Sequence, residues 1–343
     1  MNKKDSIYLK GWAVLFMIFL HFGSDFIAPQ YRYNWGDGDW KGAFQICVPI
    51  FLFLSGYGLM TGSIIKNEFG FMSLKKQMMR AMKLLIHYWI VVLPFIVIAL
   101  YQGIFSWSWD SFVLTATTLR SDWCPNAWFM ALYIELILLF PLFYSLFRYK
   151  GMKRDLILFL LIVISTKLLG KIDWINYTEG NILARQIKMV LIDMPIFIEG
   201  MLFAKYALMN TLLKRISTDS QYIKSVFFWG GGMICVASIA CRAKLPLIGV
   251  TELIHVPLCL VGLLLVSMCM KRLFVVISYV GKYSTTLWLI HGYFCWTFLQ
   301  SFIYSVRFWP LAYLIVVIFS LVASIIMEKI KSWLFNSILC LKS

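Results

Sequence analysis

Apolar residues along the chain fall in long blocks that short charged stretches separate. A membrane-spanning helix needs about 20 predominantly apolar residues, and ten blocks approach that length. They predict spans at roughly 7–28, 43–64, 81–104, 127–147, 155–172, 187–206, 224–242, 247–269, 284–306 and 309–328. A shorter apolar piece at 273–280 is predicted to be re-entrant or to lie at the membrane interface. Residues 1–343 are therefore predicted to form one all-α polytopic transmembrane domain of about ten helices.

The composition agrees with this pattern and excludes a soluble globular domain. The chain is 61% hydrophobic and 14% charged, with a mean hydropathy of +0.79. Soluble domains are about 45–50% apolar and about 25% charged. The cysteines show no CxxC pair and no zinc-type spacing, so no metal site is predicted.

The distribution of basic residues predicts the orientation. If the N-terminus is cytoplasmic, 22 of the 32 lysines and arginines lie in the N-terminal stretch, in the loops after the second, fourth, sixth and eighth spans, and in the C-terminal stretch. Cytoplasmic loops carry such an excess, so both termini are predicted to be cytoplasmic. This topology also explains most of the net charge of +16. The membrane lipid is then the expected partner of these charges, and no nucleic-acid partner is required.

The first span carries a basic residue at its start and an imidazole near its end. Lys10 and His21 are eleven residues apart, close to three full helical turns, so both face the same way about 16 Å apart. A titratable group inside a membrane is costly unless it faces a protein interior or a water-filled cavity. A histidine that only bridges two helices, with Lys10 as an interfacial anchor, is the structural alternative.

Several further motifs occur in a specific order along nearly the whole chain. The stretches are VPIFLFLSGYGL, RAMKLLIHYW, AWFMALYIELILLFPLF, FIEGMLFAKY and TTLWLIHGYF. Together with the Lys10–His21 spacing, they resemble the acyltransferase-3 family of membrane acyltransferases, and most closely its bacterial polysaccharide O-acetyltransferases. Lysine stands at positions 10 and 83, where arginine is common in the family. Lysine supplies charge but not the bidentate fork of arginine.

The resemblance implies ten spans in the bacterial cell (inner) membrane and an O-acetyltransferase activity. Acetyl-CoA would be the donor substrate, and no cofactor would be permanently bound. The acceptor would be a hydroxyl of a capsule, O-antigen or exopolysaccharide glycan, or of its lipid-linked precursor. A transporter or flippase of a lipid-linked glycan is the alternative function, although the chain shows no inverted repeat or paired broken helices. Another membrane O-acyltransferase fold is a second alternative, and the place of His21 in the first span argues against it.

The resemblance also implies roles for individual residues. His21 would be catalytic, either as a base that deprotonates the acceptor hydroxyl or as a carrier that takes the acetyl group first. Asp25, one turn further on, would orient or stabilise the imidazole, or would be a simple interfacial aspartate. Lys10, Arg80 and Lys83 would bind the acyl-CoA. Arg80 and Lys83 are one turn apart and could share one phosphate, or could anchor the helix at the cytoplasmic surface.

A last set of polar and aromatic residues in the apolar spans is predicted to line the acceptor site or the acetyl path. Each has a structural alternative, such as helix packing for the Ser-Gly-Tyr-Gly stretch, pairing with a cation for the glutamates and an interfacial belt for the aromatics. The set comprises Ser55, Tyr57, Trp128, Tyr133, Glu135, Glu199 and His291.

Overall fold

The described part of the chain is helical, with no strand among its residues. The computed structural model describes residues 1–24, 27–33, 40–66, 74–149, 151–176, 180–216, 221–244 and 251–340. In chain order the α-helices are α1 (Lys3–Phe22), α2 (Trp40–Phe44), α3 (Cys47–Ile65), α4 (Leu74–Tyr101), α5 (Trp109–Ala116), α6 (Ala127–Phe147), α7 (Met152–Leu169), α8 (Asp173–Asn176), α9 (Ile182–Lys205), α10 (Leu208–Ile216), α11 (Gln221–Lys244), α12 (Glu252–Cys269), α13 (Lys271–Lys282), α14 (Ser284–Gly292), α15 (Gln300–Ser305) and α16 (Trp309–Cys340). A 3₁₀ turn covers Pro29–Tyr31, and a π-helix covers Tyr293–Phe298.

Seven segments within the described residues are long and apolar enough to cross a membrane. They lie in α1, α2–α3, α4, α6, α11, α12 and α16. An eighth crossing results if α13 and the α14–π-helix segment form one broken span, since the two are bent by 67° at their junction. The chain is therefore an all-α polytopic membrane protein. The total of ten crossings and the cytoplasmic side of both termini stay predictions.

Each of the ten predicted spans coincides with helical structure, with three differences from the prediction. α7 and α9 form where the fifth and sixth spans were predicted. Every 18-residue stretch of these two helices carries more charged residues than the apolar stretches of the seven segments, and the two helices are therefore not counted with those segments. The first helix ends at Phe22 rather than near residue 28, because Gly23 caps it. His21 therefore lies in the last turn of α1. The apolar piece at 273–280 is part of α13, which packs against α1.

The outer faces of several helices expose large apolar side chains, as a membrane-embedded surface requires. Exposed residues of this kind recur along α4, α7 and α16, including Leu93, Val97, Leu160, Ile164 and Val322. Soluble monomers rarely expose contiguous apolar patches of this extent. These three helices therefore face the lipid on one side, and the polar side chains that the protein buries lie on the other side.

Helices α3 and α9 touch at glycines that leave no room for a side chain. A Cβ atom at Gly56 would collide with the carbonyl oxygen of Phe197, and one at Gly200 would collide with the carbonyl oxygen of Phe53. Small residues let membrane helices approach to backbone contact, which increases their van der Waals packing. Gly56 of the Ser-Gly-Tyr-Gly stretch therefore serves helix packing.

The same arrangement joins two further helix pairs. α1 and α13 meet at Gly11 and Gly281, and α11 and α12 meet at Gly231 and Gly262. In both pairs, a Cβ atom on either glycine would collide with the backbone of the partner helix. Reciprocal glycine contacts thus fix the two helices of each of these three pairs relative to one another.

We expect Gly56→Val to destabilise the protein, because overpacking a tight contact typically costs about 1–3 kcal/mol. Thermal unfolding of the purified protein in detergent should show a lower midpoint and a smaller monodisperse fraction. Gly58→Val is the matched control, since Gly58 lies on the same helix, is exposed and has open space around its Cβ position. Equal midpoints for the two variants would contradict the packing role of Gly56.

Candidate active site

A cavity of about 270 Å³ lies beside the C-terminal end of α1, and His21 forms part of its wall. Side chains from α1, α3, α6, α9, α11, α12 and α14 meet there. The polar residues of the wall are His21, Gln45, Asn126, Asp193, Arg242 and Glu252, and three aromatic residues of the wall are Trp128, Phe129 and Trp288. The cavity therefore combines an imidazole, carboxyl groups, a guanidinium group and large aromatic surfaces.

His21 makes a short hydrogen bond with a second imidazole. Its Nδ1 lies 2.6 Å from Nε2 of His291, on α14. The two ring planes differ by only 6°, and the ring centroids are 4.9 Å apart. His291 is fully buried, whereas His21 is half-buried at the cavity wall. The fold thus brings together two histidines that are 270 residues apart in the chain.

The hydrogen bonds of this pair assign the proton to one nitrogen of each ring. Nδ1 of His291 lies 3.0 Å from the carbonyl oxygen of Leu287, which can only accept, so this Nδ1 carries the hydrogen. Nε2 of a neutral His291 is then an acceptor, and Nδ1 of His21 must donate to it. Nε2 of His21 is left with a free lone pair and makes no hydrogen bond to any described residue. This atom can take a proton or attack a carbonyl carbon.

A π-helix directly after His291 supports the imidazole pair from the other side. The widened turn over Tyr293–Phe298 includes Trp296, whose Nε1 donates to the carbonyl oxygen of His21 at 3.2 Å. The indole ring also meets the His21 ring edge-on, with centroids 4.8 Å apart. π-Helical turns are rare and are frequent at functional sites. The end of α1 is thereby fixed through both its backbone and its histidine side chain.

The aromatic part of the wall is held by a buried amide. Asn126 precedes the first residue of α6, and its Nδ2 donates to the carbonyl oxygen of Trp288 at 3.0 Å. Phe129 packs edge-on against Trp288, with centroids 4.6 Å apart. Trp128 adds a further indole to the lining. The start of α6 is thus fastened to α14, one turn before His291.

The opposite part of the wall is polar and rests on the contact between α11 and α12. Arg242 lies eleven residues after Gly231, and Glu252 lies ten residues before Gly262. Because the two helices are antiparallel and cross at these glycines, both side chains reach the same height. Nη2 of Arg242 donates to Oε1 of Glu252 at 2.7 Å, and Nη1 lies 3.5 Å from Oε1 of Gln45. Both charged side chains are largely buried.

The predicted acyl-CoA-binding residues lie away from this cavity. Lys10 is half-buried on α1, about 16 Å from His21 along the continuous helix. Arg80 is half-buried on α4, and its Nη1 donates to Oε1 of Gln77 at 2.9 Å. Lys83 is exposed, on the face of α4 that also exposes apolar side chains. Arg80 is therefore turned towards the protein interior, and Lys83 is turned away from it.

Ser55, Tyr57 and Tyr133 also lie outside the cavity wall. The hydroxyl of Ser55 donates to the carbonyl oxygen of Phe51 at 2.7 Å. Tyr133 is half-buried on α6, and its ring lies parallel to that of Phe129, with centroids 6.3 Å apart. Tyr57 accepts a hydrogen bond from the amino group that begins the chain, at 3.4 Å, so it lies at the other end of α1 from His21.

Of the two glutamates predicted to line the path, Glu199 is buried and Glu135 is half-buried, and neither has a charged partner among the described residues. Oε2 of Glu135 and Oε2 of Glu199 are both inaccessible and accept no hydrogen bond from the described residues. Neither glutamate forms a salt bridge with a described residue, so the pairing with a cation is not found. Asp25, predicted to orient His21, lies outside the described residues.

Of the predicted site residues in the described part of the chain, the structure brings His21, His291 and Trp128 together at or beside the cavity. Five polar wall residues, Gln45, Asn126, Asp193, Arg242 and Glu252, were not predicted. Asp193 stands in the apolar stretch VLIDMPIF, and an ionisable residue in such a stretch is a functional candidate by default. Asp193 could therefore have been selected from the sequence as a candidate site residue. The pairing of Arg242 with Glu252 had no sequence signal, since Arg242 ends one predicted span and Glu252 lies in the first turns of the next.

Comparison with known proteins identifies the family. The acyltransferase-3 model, described as an acyltransferase domain, matches residues 4–329 of the 343-residue chain. Neither the curated proteins nor the solved structures give a match. The matched range includes α1 with His21, the helices around the cavity and α14 with His291. The chain therefore belongs to the acyltransferase-3 family and is a multi-pass membrane acyltransferase.

Proposed function

We propose that the protein is an acetyl-CoA-dependent O-acetyltransferase of the bacterial cell (inner) membrane. Its acceptor is a sugar hydroxyl of a capsule, O-antigen or exopolysaccharide glycan, or of the lipid-linked precursor of that glycan. The family supports acyl transfer. The observation that carries the rest is the hydrogen-bond chain from the Leu287 carbonyl through His291 to His21, which leaves Nε2 of His21 unprotonated beside a cavity.

A free imidazole nitrogen is what acyl transfer to an alcohol requires. A hydroxyl group is a poor nucleophile at neutral pH and needs a base that removes its proton as it attacks. In this step the acceptor O–H bond and the thioester C–S bond break, and the new ester C–O bond forms. Nε2 of His21 takes the hydroxyl proton and returns it to the departing thiolate, so the histidine ends as it began.

The same nitrogen would act if the acetyl group passed through the protein. Nε2 of His21 would then attack the thioester carbonyl carbon, the C–S bond would break, and coenzyme A would leave as a thiolate beside an acetyl-imidazolium. The acceptor hydroxyl would then attack the acetyl carbon, the Nε2–C bond would break, and the hydroxyl proton would end on the thiolate. In both routes Nε2 of His291 accepts the hydrogen bond from the Nδ1–H group of His21, which keeps the reactive lone pair on Nε2 of His21. His291 is therefore a positioning residue in this proposal.

The donor would reach His21 from the cytoplasmic side. Arg80 and Lys10 are half-buried cations on helices that start on that side in the predicted orientation. They would hold the phosphates of coenzyme A, and the largely uncharged pantetheine arm would bring the thioester up to His21. Lys83, being exposed, is expected to contribute less than Arg80.

We expect a His21→Gln strain to carry unacetylated surface glycan. Glutamine keeps hydrogen-bonding capacity but cannot act as a base near neutral pH, and loss of a general base typically lowers the rate 10²–10⁴-fold. The measurement is the acetyl content of the glycan from a deletion strain complemented with the wild-type gene or with the variant.

Membrane abundance and acetyl-CoA binding of the His21→Gln protein serve as controls. Near-wild-type acetylation in this strain would show that His21 only bridges two helices. A deletion strain that loses export of the glycan itself, rather than its acetyl groups, would support the alternative function as a transporter of a lipid-linked glycan.

We expect His291→Leu to lower kcat by about 10²-fold with little change in the KM for acetyl-CoA, because a misplaced catalytic group costs about that much. Leucine leaves the Nδ1–H group of His21 without its acceptor. His291→Gln keeps an acceptor oxygen and should restore most of the activity. Initial rates over a range of acetyl-CoA concentrations separate the two constants. Equal rates for the two variants would argue against a positioning role.

We expect Arg80→Ala to raise the KM for acetyl-CoA about ten- to hundredfold. Losing one hydrogen bond to a charged group costs about 1.5–3 kcal/mol, and about 1.4 kcal/mol corresponds to a factor of ten. Lys83→Ala should have a smaller effect, and Lys75→Ala, which removes an exposed cation from the same helix, serves as the control. An unchanged KM in a well-expressed Arg80→Ala protein would remove Arg80 from the donor site.

A further inference from the structure

The polar end of the cavity has no role in the chemistry described above. Asp193, Arg242 and Glu252 line the same cavity as His21. Its volume of about 270 Å³ lies just below the range of about 300–1,000 Å³ that is typical of sites for drug-sized ligands. A cavity of this size suits a single sugar ring and is too small for a whole coenzyme A molecule.

Arg242 offers no free charge to an anionic ligand. Its Nη2 and Nε donate to Oε1 of Glu252, and its Nη1 donates to the carbonyl oxygen of Gly42. Among the described residues that line the cavity, there is no other lysine or arginine. A phosphate or carboxylate group entering this end would meet carboxyl groups and no unpaired cation, so its transfer out of water would be unfavourable.

Asp193 is the group that lacks a protein partner. It makes no hydrogen bond or salt bridge to a described residue, although the charges of Arg242, Glu252 and Lys167 act on it. Lys167 is not part of the cavity wall. A carboxyl group among apolar residues is costly unless a partner satisfies it. Sugar hydroxyls are suitable partners, since they can donate to the carboxyl oxygens and accept from a protonated carboxyl group.

The packing of α3 and α9 fixes Asp193 at this wall. Asp193 lies seven residues before Gly200, and Pro49 lies seven residues before Gly56. The two helices cross at these glycines, and equal offsets place both residues at the same height if the helices run in the same direction. Both residues line the cavity. Asp193 therefore projects from a rigid helix pair and not from a loop.

We propose that Asp193 and the Arg242–Glu252 pair form an acceptor subsite for the hydroxyl groups of an uncharged sugar ring. The ring packs against Trp128 and Trp288, Asp193 binds its hydroxyls, and a further hydroxyl reaches Nε2 of His21. This inference rests on the proposed O-acetyltransferase function, and it specifies the acceptor as an uncharged sugar residue. Residues of the glycan that carry a carboxylate or a phosphate are excluded as the acetylated unit.

The test uses purified protein, labelled acetyl-CoA and the unacetylated glycan isolated from a deletion strain. We expect Asp193→Leu to raise the apparent KM for the glycan about ten- to hundredfold and to leave the KM for acetyl-CoA unchanged. Asp193→Asn, which keeps the size and part of the hydrogen bonding, should have a smaller effect. Asp173→Asn, which changes an exposed aspartate of α8, is the matched control. Should Asp193→Leu fail to accumulate, Asp193→Asn can still show whether the KM for the glycan rises while the KM for acetyl-CoA stays unchanged.

Mapping of the acetylated position by NMR provides an independent readout. We expect the acetyl group of the wild-type glycan on an uncharged sugar residue. An acetyl group on a uronate or a phosphate-bearing residue, or an unchanged glycan KM in both Asp193 variants, would overturn the subsite while leaving the transferase function intact. A wild-type protein that transfers no acetyl group to the glycan or to its lipid-linked precursor would overturn the function itself.

Discussion

Backbone contact between glycines is the constraint on which the site depends. His21 lies ten residues after Gly11, and His291 lies ten residues after Gly281, which touches α1 beside Gly11. A hydrogen bond of 2.6 Å between two side chains requires that the helices carrying them be held to within a few tenths of an ångström. Contacts through long side chains would let the helices slide, because such chains can change rotamer. Contacts through backbone atoms allow little adjustment. The same arrangement in the other two helix pairs holds the carboxyl and guanidinium groups of the opposite wall.

The groups proposed to react with the substrates and to recognise the acceptor line one small cavity, and the predicted donor-binding cations lie elsewhere. Polar groups inside a membrane need partners, and three groups of the cavity wall use different ones: a second histidine for His21, a carboxylate for Arg242 and the backbone carbonyl of Trp288 for Asn126. Asp193 is the exception that the proposed acceptor would satisfy. A long, flexible donor would bridge the distance between the two regions, so the protein needs no single large pocket.

Features encoded by local pattern could be predicted from the sequence, and features that depend on tertiary contacts could not. Hydropathy predicted the positions of the helices, and periodicity placed Lys10 and His21 on one face of one helix. His291 was selected as an intramembrane histidine, but its bond to His21 joins distant parts of the chain and has no local signature. Asp193 was detectable by the same criterion that selected the two glutamates. The outward turn of Lys83 depends on which face of α4 packs inward, and spacing to Arg80 alone does not reveal that.

The hydrogen bond from Nδ1 of His291 to the Leu287 carbonyl oxygen has a consequence for the charge balance of the proposed reaction. The Leu287 carbonyl holds the hydrogen of His291 Nδ1, and the two rings share one hydrogen between them, so Nε2 of His21 is the one site where the imidazole pair could take a further proton. The charge of that proton appears when the sugar hydroxyl gives up its hydrogen and disappears when the thiolate receives it. If the acceptor meets His21 from the side opposite to the donor, an acetyl group would move outward as a proton moves inward, and no net charge would cross the membrane. Moving one elementary charge through a potential of 100 mV changes the free energy by about 2.3 kcal/mol. Because no net charge would cross, the membrane potential would not change the free energy of acetylation. The free energy of the thioester alone would drive the transfer, which would proceed equally in energised and in depolarised cells.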